Sequence, residues 1–252
     1  MAKDKDKKVL RTKLFGGFRK KDVLAYLKEN RMISALDIQH QILNAYVADM
    51  AKYISANETA KVMACFDSIP AQLAKDNHKF QYKIVQRGGK TSLFGASLDW
   101  LAAAGIISVC NLIEHGYNPP EAFKDLSSFK VYMNDVGLLA QKAKLEPHDL
   151  LSKNGSMFIG AITENYVANA LTANGYTLYY WASKGTAEID FVLQRSDGII
   201  PVEVKAREHV RSRSLSVFIA KYKPPYAIRI SARNFGFENE IMSVPLYAVF
   251  CL

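Results

Sequence analysis

Four residues in the last third of this 252-residue chain have types and spacing suited to chemistry: Glu164, Asp190, Glu203 and Lys205. Met157, Gly160, Ala161, Val167, Ala168 and Leu171 stand three, four or seven positions from Glu164. On a helix they share its face, so the carboxylate falls inside an apolar stripe. An unpartnered buried carboxylate costs on the order of several kcal/mol and persists when paired, hydrogen-bonded or metal-bound. The alternative is a stripe edge at which Glu164 reaches water. In the run Glu188-Ile189-Asp190-Phe191-Val192-Leu193, the large apolar residues alternate onto one strand face and leave Glu188 and Asp190 on the other. In Ile200-Pro201-Val202-Glu203-Val204-Lys205 the same alternation sets Glu203 and Lys205 together, opposite Ile200, Val202 and Val204. Pairing the two runs across the turn signal Ser196-Asp197-Gly198 is expected to bring Asp190 beside Glu203. The helix of Glu164 is expected to cover that face. Three acids and a lysine at a sheet centre are poor architecture for stability alone. They suit a hard divalent cation, since Mg²⁺ takes carboxylate oxygens and keeps several waters.

Lys205, Arg207, Arg211 and Arg213 cluster just before a helix expected to start at 212 or 214. Arginines at a helix N-terminus suit a phosphate group such as that of DNA. An ordinary basic loop is the other reading.

The elements that must position these groups follow from periodicity. A helix over 156–173 ends at the stop signal Asn174-Gly175. Strands over 177–181, 188–194 and 199–205 follow, then a helix over 214–222 and strands over 227–230 and 246–250. The order is α-β-β-β-α-β with a trailing strand. Upstream, Val23, Leu24 and Leu27 mark a short helical stretch, and Ile33, Leu36, Leu43, Tyr46, Val47 and Met50 recur at the helical period. Further helices are expected over 62–73 and 92–104, the latter ended by Gly105. Strands near 106–109 and 129–132 complete the order of a winged helix, a fold that serves DNA binding, spacing or protein contact. Glu146-Pro147 to Asn154 reads as the join. The chain thus divides into a basic tail over 1–15 without fixed structure, a helical, winged-helix-like domain over 16–148, and an α/β domain over 149–252.

Composition narrows the class. Residues 1–31 hold eleven Lys/Arg against four Asp/Glu, so they carry +7 of the +9 formal charge. The basic balance is therefore mostly that of a solvated tail and a weak sign of nucleic acid by itself. No apolar run reaches the roughly 18 residues of a membrane span. The N-terminal segment lacks the hydrophobic stretch of a signal peptide, so the expectation is a cytoplasmic protein without membrane contact. Cys65, Cys110 and Cys251 are far apart and odd in number, and read as reduced core thiols. His40, His78, His115, His148 and His209 have no ligand spacing. Gly88-Gly89-Lys90-Thr91 imitates the end of a phosphate-binding loop, but Ile84 stands where that loop needs its first glycine, so no nucleotide site is expected.

A helix glutamate, a strand aspartate and Glu-X-Lys on the next strand, in α-β-β-β-α-β order, resemble the PD-(D/E)xK nuclease superfamily. Ile189 stands where that superfamily usually has proline. The resemblance implies a restriction-endonuclease-like domain in which Asp190 and Glu203 hold Mg²⁺ or Mn²⁺. It implies that Glu164 completes the shell directly or through water, and that Lys205 orients or deprotonates the attacking water. Glu188 would support them. More of the chain, from about Gly16, is similar to the domain of unknown function that follows the P-loop domain in many bacterial and archaeal AAA-type ATPases. The matching runs are Gly16-Gly17-Phe18, Ile42-Leu43-Asn44-Ala45-Tyr46 with Asp49 and Lys52-Tyr53, and Tyr132-Met133-Asn134-Asp135-Val136-Gly137-Leu138-Leu139. They continue with Tyr179-Tyr180-Trp181, Ala187 to Leu193, and Pro201 to Lys205. This implies an ATPase-associated module, a separate or fused AAA-type ATPase as partner, and DNA as substrate. A non-catalytic DNA- or protein-binding module is the alternative.

Overall fold

The computed structural model describes residues 32–146, 158–185, 187–206 and 213–252. The stretch around Val23–Leu27, the proposed join near 147–154, and Arg207 and Arg211 lie outside them. The chain divides into two compact units. One comprises 1–108 with 131–162, the other 109–130 with 163–252. No helix among the described residues is long and apolar enough to cross a membrane.

The first unit is helical. Helix α1 (Met32–Tyr53) is followed by α2 (Ala56–Leu73), which opens on a capping box. The Ser55 side chain accepts the amide of Glu58, and the Glu58 carboxylate accepts the amide of Ser55, so each satisfies one of the helix's orphan ends. A single turn, α3 (Tyr82–Val85), leads to α4 (Thr91–Ala103), and α5 (Val136–Lys142) starts where Asp135 accepts the amide of Leu138. Val62, Cys65, Phe66, Ile69 and Leu73 of α2 are buried, as are Phe94, Leu98 and Leu101 of α4. Their three- and four-residue spacings are those the helical period requires. Asp67 pairs with Lys142, whose ammonium lies 4.0 Å from the Phe66 ring centroid. Between α3 and α4 the amide of Gly89 donates to the carbonyl of Gln86 at 2.8 Å, so this glycine run forms a tight turn.

The second unit is built on a mixed sheet of eight strands in the order β2-β1-β3-β4-β5-β6-β8-β7. These are β1 (Ile107–Ile113), β2 (Lys124–Met133), β3 (Tyr179–Ala182), β4 (Glu188–Arg195), β5 (Gly198–Val204), β6 (Ala227–Ser231), β7 (Gly236–Glu238) and β8 (Ile241–Pro245). Helix α6 (Ile159–Ala173) precedes β3, and α7 (Arg213–Tyr222) joins β5 to β6. The run from α6 to β6 therefore has the expected α-β-β-β-α-β order. Gly175, at φ 84°, ends α6. The left-handed turn there lets the amide of Tyr176 reach back to the carbonyl of Leu171 at 3.1 Å. β4 and β5 form the expected hairpin, with Arg195 opposite Gly198 and Phe191 opposite Val202.

Two expectations change. The strands assigned to a winged helix belong to the large sheet: β1 pairs in parallel with β3, Asn111 to Tyr179 through Ile113 to Trp181. Local pattern marks a strand but leaves its partner open, and here the partner stands more than sixty residues downstream. The trailing strand over 246–250 is a 3-10 helix, Leu246–Cys251, and the strand lies just upstream as β8, paired with β6. Pro245, which has no N–H to donate, ends that ladder. Leu246, Ala248 and Val249 are buried from the short helix instead. Cys65 and Cys110 are buried as expected, but Cys251 is exposed.

One face of the sheet packs Ile113, Tyr179, Trp181, Ile189, Val192, Ile199 and Ala227 against Leu215 and Phe218 of α7. Trp181 meets Phe218 edge to face at 5.2 Å and donates its indole N–H to the Tyr222 hydroxyl at 3.1 Å. Gly116 lies against this cluster, where a Cβ would stand 2.6 Å from Phe218 Cζ and 2.8 Å from Tyr222 Cδ2. Gly116→Ala is expected to destabilise the protein by about 1–3 kcal/mol through overpacking, read as a lowered urea midpoint with an unchanged slope.

Candidate functional site

The acids gather around a lysine. Lys130 lies on β2, at one edge of the sheet, yet is only 1 % exposed. Its Nζ lies 2.9 Å from Glu164 Oε1 and 2.8 Å from Glu188 Oε1, and 5.1 Å from the Tyr180 ring centroid. An ammonium taken out of water is retained only when carboxylates compensate it. Burial by itself pulls the Lys130 pKa down. The charges of Glu164, Glu188 and Asp190 outweigh that and hold it above the usual lysine range. α6 supplies Glu164 from a stretch buried throughout 161–171, so of the two readings of the apolar stripe the buried one holds and the stripe edge does not.

Asp190 stands next to this group under different conditions. Its Oδ2 accepts the amide of Val204 at 2.7 Å. Desolvation first, and the negative charge of Glu164 second, push its carboxyl up to about 7, against the pull of Lys130, the Val204 amide and Lys205. A bulge accompanies it. Tyr179 pairs with Val192 but Trp181 pairs with Ile189, so β4 advances one residue more than β3 around Asp190 and Phe191. Bulges interrupt strict alternation and re-aim side chains. Ile189 and Val192, three positions apart, both join the apolar cluster, so strict alternation fails between them, while the charges of Glu188 and Asp190 both act on Lys130.

Glu203, on β5, is buried and meets a second set of cations. Its Oε1 lies 3.1 Å from Lys205 Nζ and its Oε2 lies 3.5 Å from Arg229 Nε. The parallel pairing of β5 with β6 sets Glu203 opposite Arg229. Lys205 links the two groups, since it pairs with Glu203 while its charge acts on Asp190. Among the described residues, no group of three or more His, Cys, Asp and Glu side chains converges as a ready metal shell. Glu164 and Glu188 instead share Lys130. Arg213 is the exposed first residue of α7, and the neighbouring Ser214 Oγ accepts the amide of Glu188 at 3.2 Å. The start of α7 thus docks beside the strand that carries Asp190.

Sequence reasoning missed Lys130 and Arg229. Both left a signal. Lys130 stands between Phe129 and the run Val131-Tyr132-Met133, and a lysine inside so continuous an apolar strand requires an acidic partner when both faces are buried. Arg229 alternates with Ile228 and Ile230, which places it on the polar side of β6.

Residues 13–149 match the family described as Domain of unknown function (DUF8612), which is more than half of the chain. The chain belongs to the DUF8612 family. Residues 159–249 match a second family, Domain of unknown function (DUF4143), found in the C-terminal region of AAA-type ATPase-associated proteins. No curated protein and no solved structure matches the chain. Lys130 comes from the DUF8612 stretch, whereas Glu164, Glu188, Asp190 and Glu203 come from the stretch matching DUF4143. The charged cluster therefore needs both sequence segments.

Two consequences follow for stability. Lys130→Met leaves two carboxylates without their cation and is expected to cost roughly 3–5 kcal/mol in urea unfolding, the order found when one partner of a buried pair is removed. Adding Glu164→Gln to it is expected to restore part of that loss. Asp190 binds its proton more tightly in the fold than in the unfolded chain, where its ordinary value is 3.8. The stabilisation from its protonated form is full below that value and is lost as pH rises through about 7. Unfolding free energy measured from pH 4 to 8 is expected to fall less steeply in Asp190→Asn than in the parent protein.

Proposed function

We propose that the chain carries a divalent-cation-dependent phosphodiester hydrolase site acting on DNA, in a restriction-endonuclease-like domain that works with a separate or fused AAA-type ATPase. The observation that carries the reading is the position of Lys205, 3.1 Å from Glu203 and electrostatically coupled to Asp190 across the β4–β5 hairpin. The α-β-β-β-α-β order from α6 to β6 and the DUF4143 match support it.

A hard cation takes carboxylate oxygens and keeps several waters, so it would not need a complete shell of side chains. Asp190 is partly exposed, and its one hydrogen bond among the described contacts uses Oδ2, which leaves an oxygen for a ligand. Four carboxylates, of Glu164, Glu188, Asp190 and Glu203, stand against three cationic side chains, of Lys130, Lys205 and Arg229. Asp190, with Glu203 on the adjoining strand, would hold Mg²⁺ or Mn²⁺. Bound there, the cation would supply positive charge to acidify a water and offset charge on the phosphate.

The chain's own groups have separate tasks in this reading. Glu203 fixes the Lys205 ammonium, and Lys205 Nζ donates hydrogen bonds to the attacking water or to a phosphate oxygen as negative charge develops. The Val204 amide orients Asp190. Arg213, at the start of α7, meets the nucleic-acid backbone, a role that extends to Arg207 and Arg211 by sequence.

Lys130 favours a second reading, because it already compensates two of the acids: a module that binds DNA or a protein partner without cleaving. One assay separates them. The full chain, incubated with duplex, single-stranded and branched DNA in Mg²⁺ or Mn²⁺, is expected to cleave, and Asp190→Asn and Lys205→Gln to reduce the rate at least about a hundredfold. Equal rates in parent and variants, or binding without turnover, reject hydrolysis.

A further inference from the structure

The first unit carries a basic surface of its own. Residues 77–98 contain Lys79, Lys83, Arg87 and Lys90 and neither Asp nor Glu. Lys83, Arg87 and Lys90 are exposed, and none of the three is ion-paired among the described residues. The fold gathers them at one end of α4. Gly89 sits so close to α3 that a Cβ there would stand 2.1 Å from the Tyr82 carbonyl oxygen, and Tyr82 shares a side-chain hydrogen bond with Thr91. α3, the turn and the first residues of α4 are thereby held together. α4 starts after Lys90 without a side-chain cap and has no acid in its first turn. The amides and dipole of that helix start therefore add positive potential to the three cations.

The helix has a buried face and an outer one. Phe94, Leu98 and Leu101 are buried, while Ser92, Ala96, Asp99 and Ala103 are exposed at the helical spacing, with Leu93 at the margin. Small side chains keep that outer face slim, and an α-helix about 10–12 Å across matches the roughly 12 Å major groove of a DNA duplex. Asp99, the acid of this face, stands two turns from the basic end, so the potential favours entry by the N-terminus first. We propose that α3, the 86–90 turn and α4 form a surface for duplex DNA. Lys83, Arg87 and Lys90 grip the phosphate backbone there, and the start of α4 enters the major groove. The inference goes beyond the hydrolase reading and does not need it. Residues 77–103 belong to the first unit, whereas Asp190, Glu203 and Lys205 belong to the second.

Fluorescence anisotropy tests this, with a labelled duplex titrated by the full chain in EDTA over a range of salt. The parent is expected to bind, with log K falling linearly against log salt. Lys83→Gln, Arg87→Gln and Lys90→Gln are each expected to lower that slope by about 0.9. The charge-matched control, Lys52→Gln with Lys61→Gln and Lys144→Gln, is expected to leave it unchanged. Ser92→Glu places a carboxylate at the start of α4, where it suits the helix dipole and opposes phosphate. It is expected to keep or raise the melting temperature while weakening binding at least about tenfold. No binding by the parent in EDTA overturns the inference and leaves the hydrolase reading to its own cleavage assay. Equal slopes in the Lys83→Gln, Arg87→Gln, Lys90→Gln triple variant and in the control assign the contact to other charges, such as those of residues 1–31, and overturn it too. Undiminished binding by Ser92→Glu, or tighter binding to single-stranded than to duplex DNA, rejects the entry of α4 into a groove.

Discussion

The buried ammonium of Lys130 organises the acids on the edge of the sheet. Carboxylates in a desolvated sheet repel one another strongly, and the cost falls only if cationic charge is brought among them. Lys130 provides it from the edge strand β2, and binds an acid of α6 and an acid of β4 at once. That contact ties together a strand, a helix and a second strand that are far apart in sequence. It compensates the charges of Glu164 and Glu188 together.

The second set of contacts depends on the first. With Glu164 and Glu188 paired to Lys130, Asp190 feels the charge of Lys130, the Val204 amide and the charge of Lys205, but desolvation and the charge of Glu164 raise its pKa. Glu203 is held between Lys205 and Arg229, so its side chain is fixed before any ligand arrives. Groups already in place need not reorganise as charge develops, which the proposed phosphodiester chemistry would use. On the hydrophobic side of the sheet Trp181 meets both Phe218 and Tyr222 edge to face, and those two rings lie tilted against each other.

The division of the chain by family and its division by packing differ. The DUF8612 match ends at residue 149, but residues 109–130 pack with the sheet of the second unit and deliver Lys130 to acids from the DUF4143 stretch. An edge strand drawn from one sequence family into the sheet of another makes the two interdependent.

Much of the architecture was legible in the residues. The helical period around Glu164, the Asn174-Gly175 stop, the alternation in β5 and the Ser196-Asp197-Gly198 turn each express a local preference of the backbone, so they identified α6, the hairpin and the burial of Glu164. Sequence by itself also singled out Glu164, Asp190, Glu203 and Lys205 as candidates. Tertiary structure decided the rest. Strand partners are chosen by non-local hydrogen bonding, so β1 and β2 were recognisable as strands but not as members of this sheet. The bulge at Asp190 arises from pairing with β3, which local alternation does not encode. Lys130 and Arg229 joined the cluster because charges in a low-dielectric interior select partners by distance in space, and that distance is set only when the sheet closes.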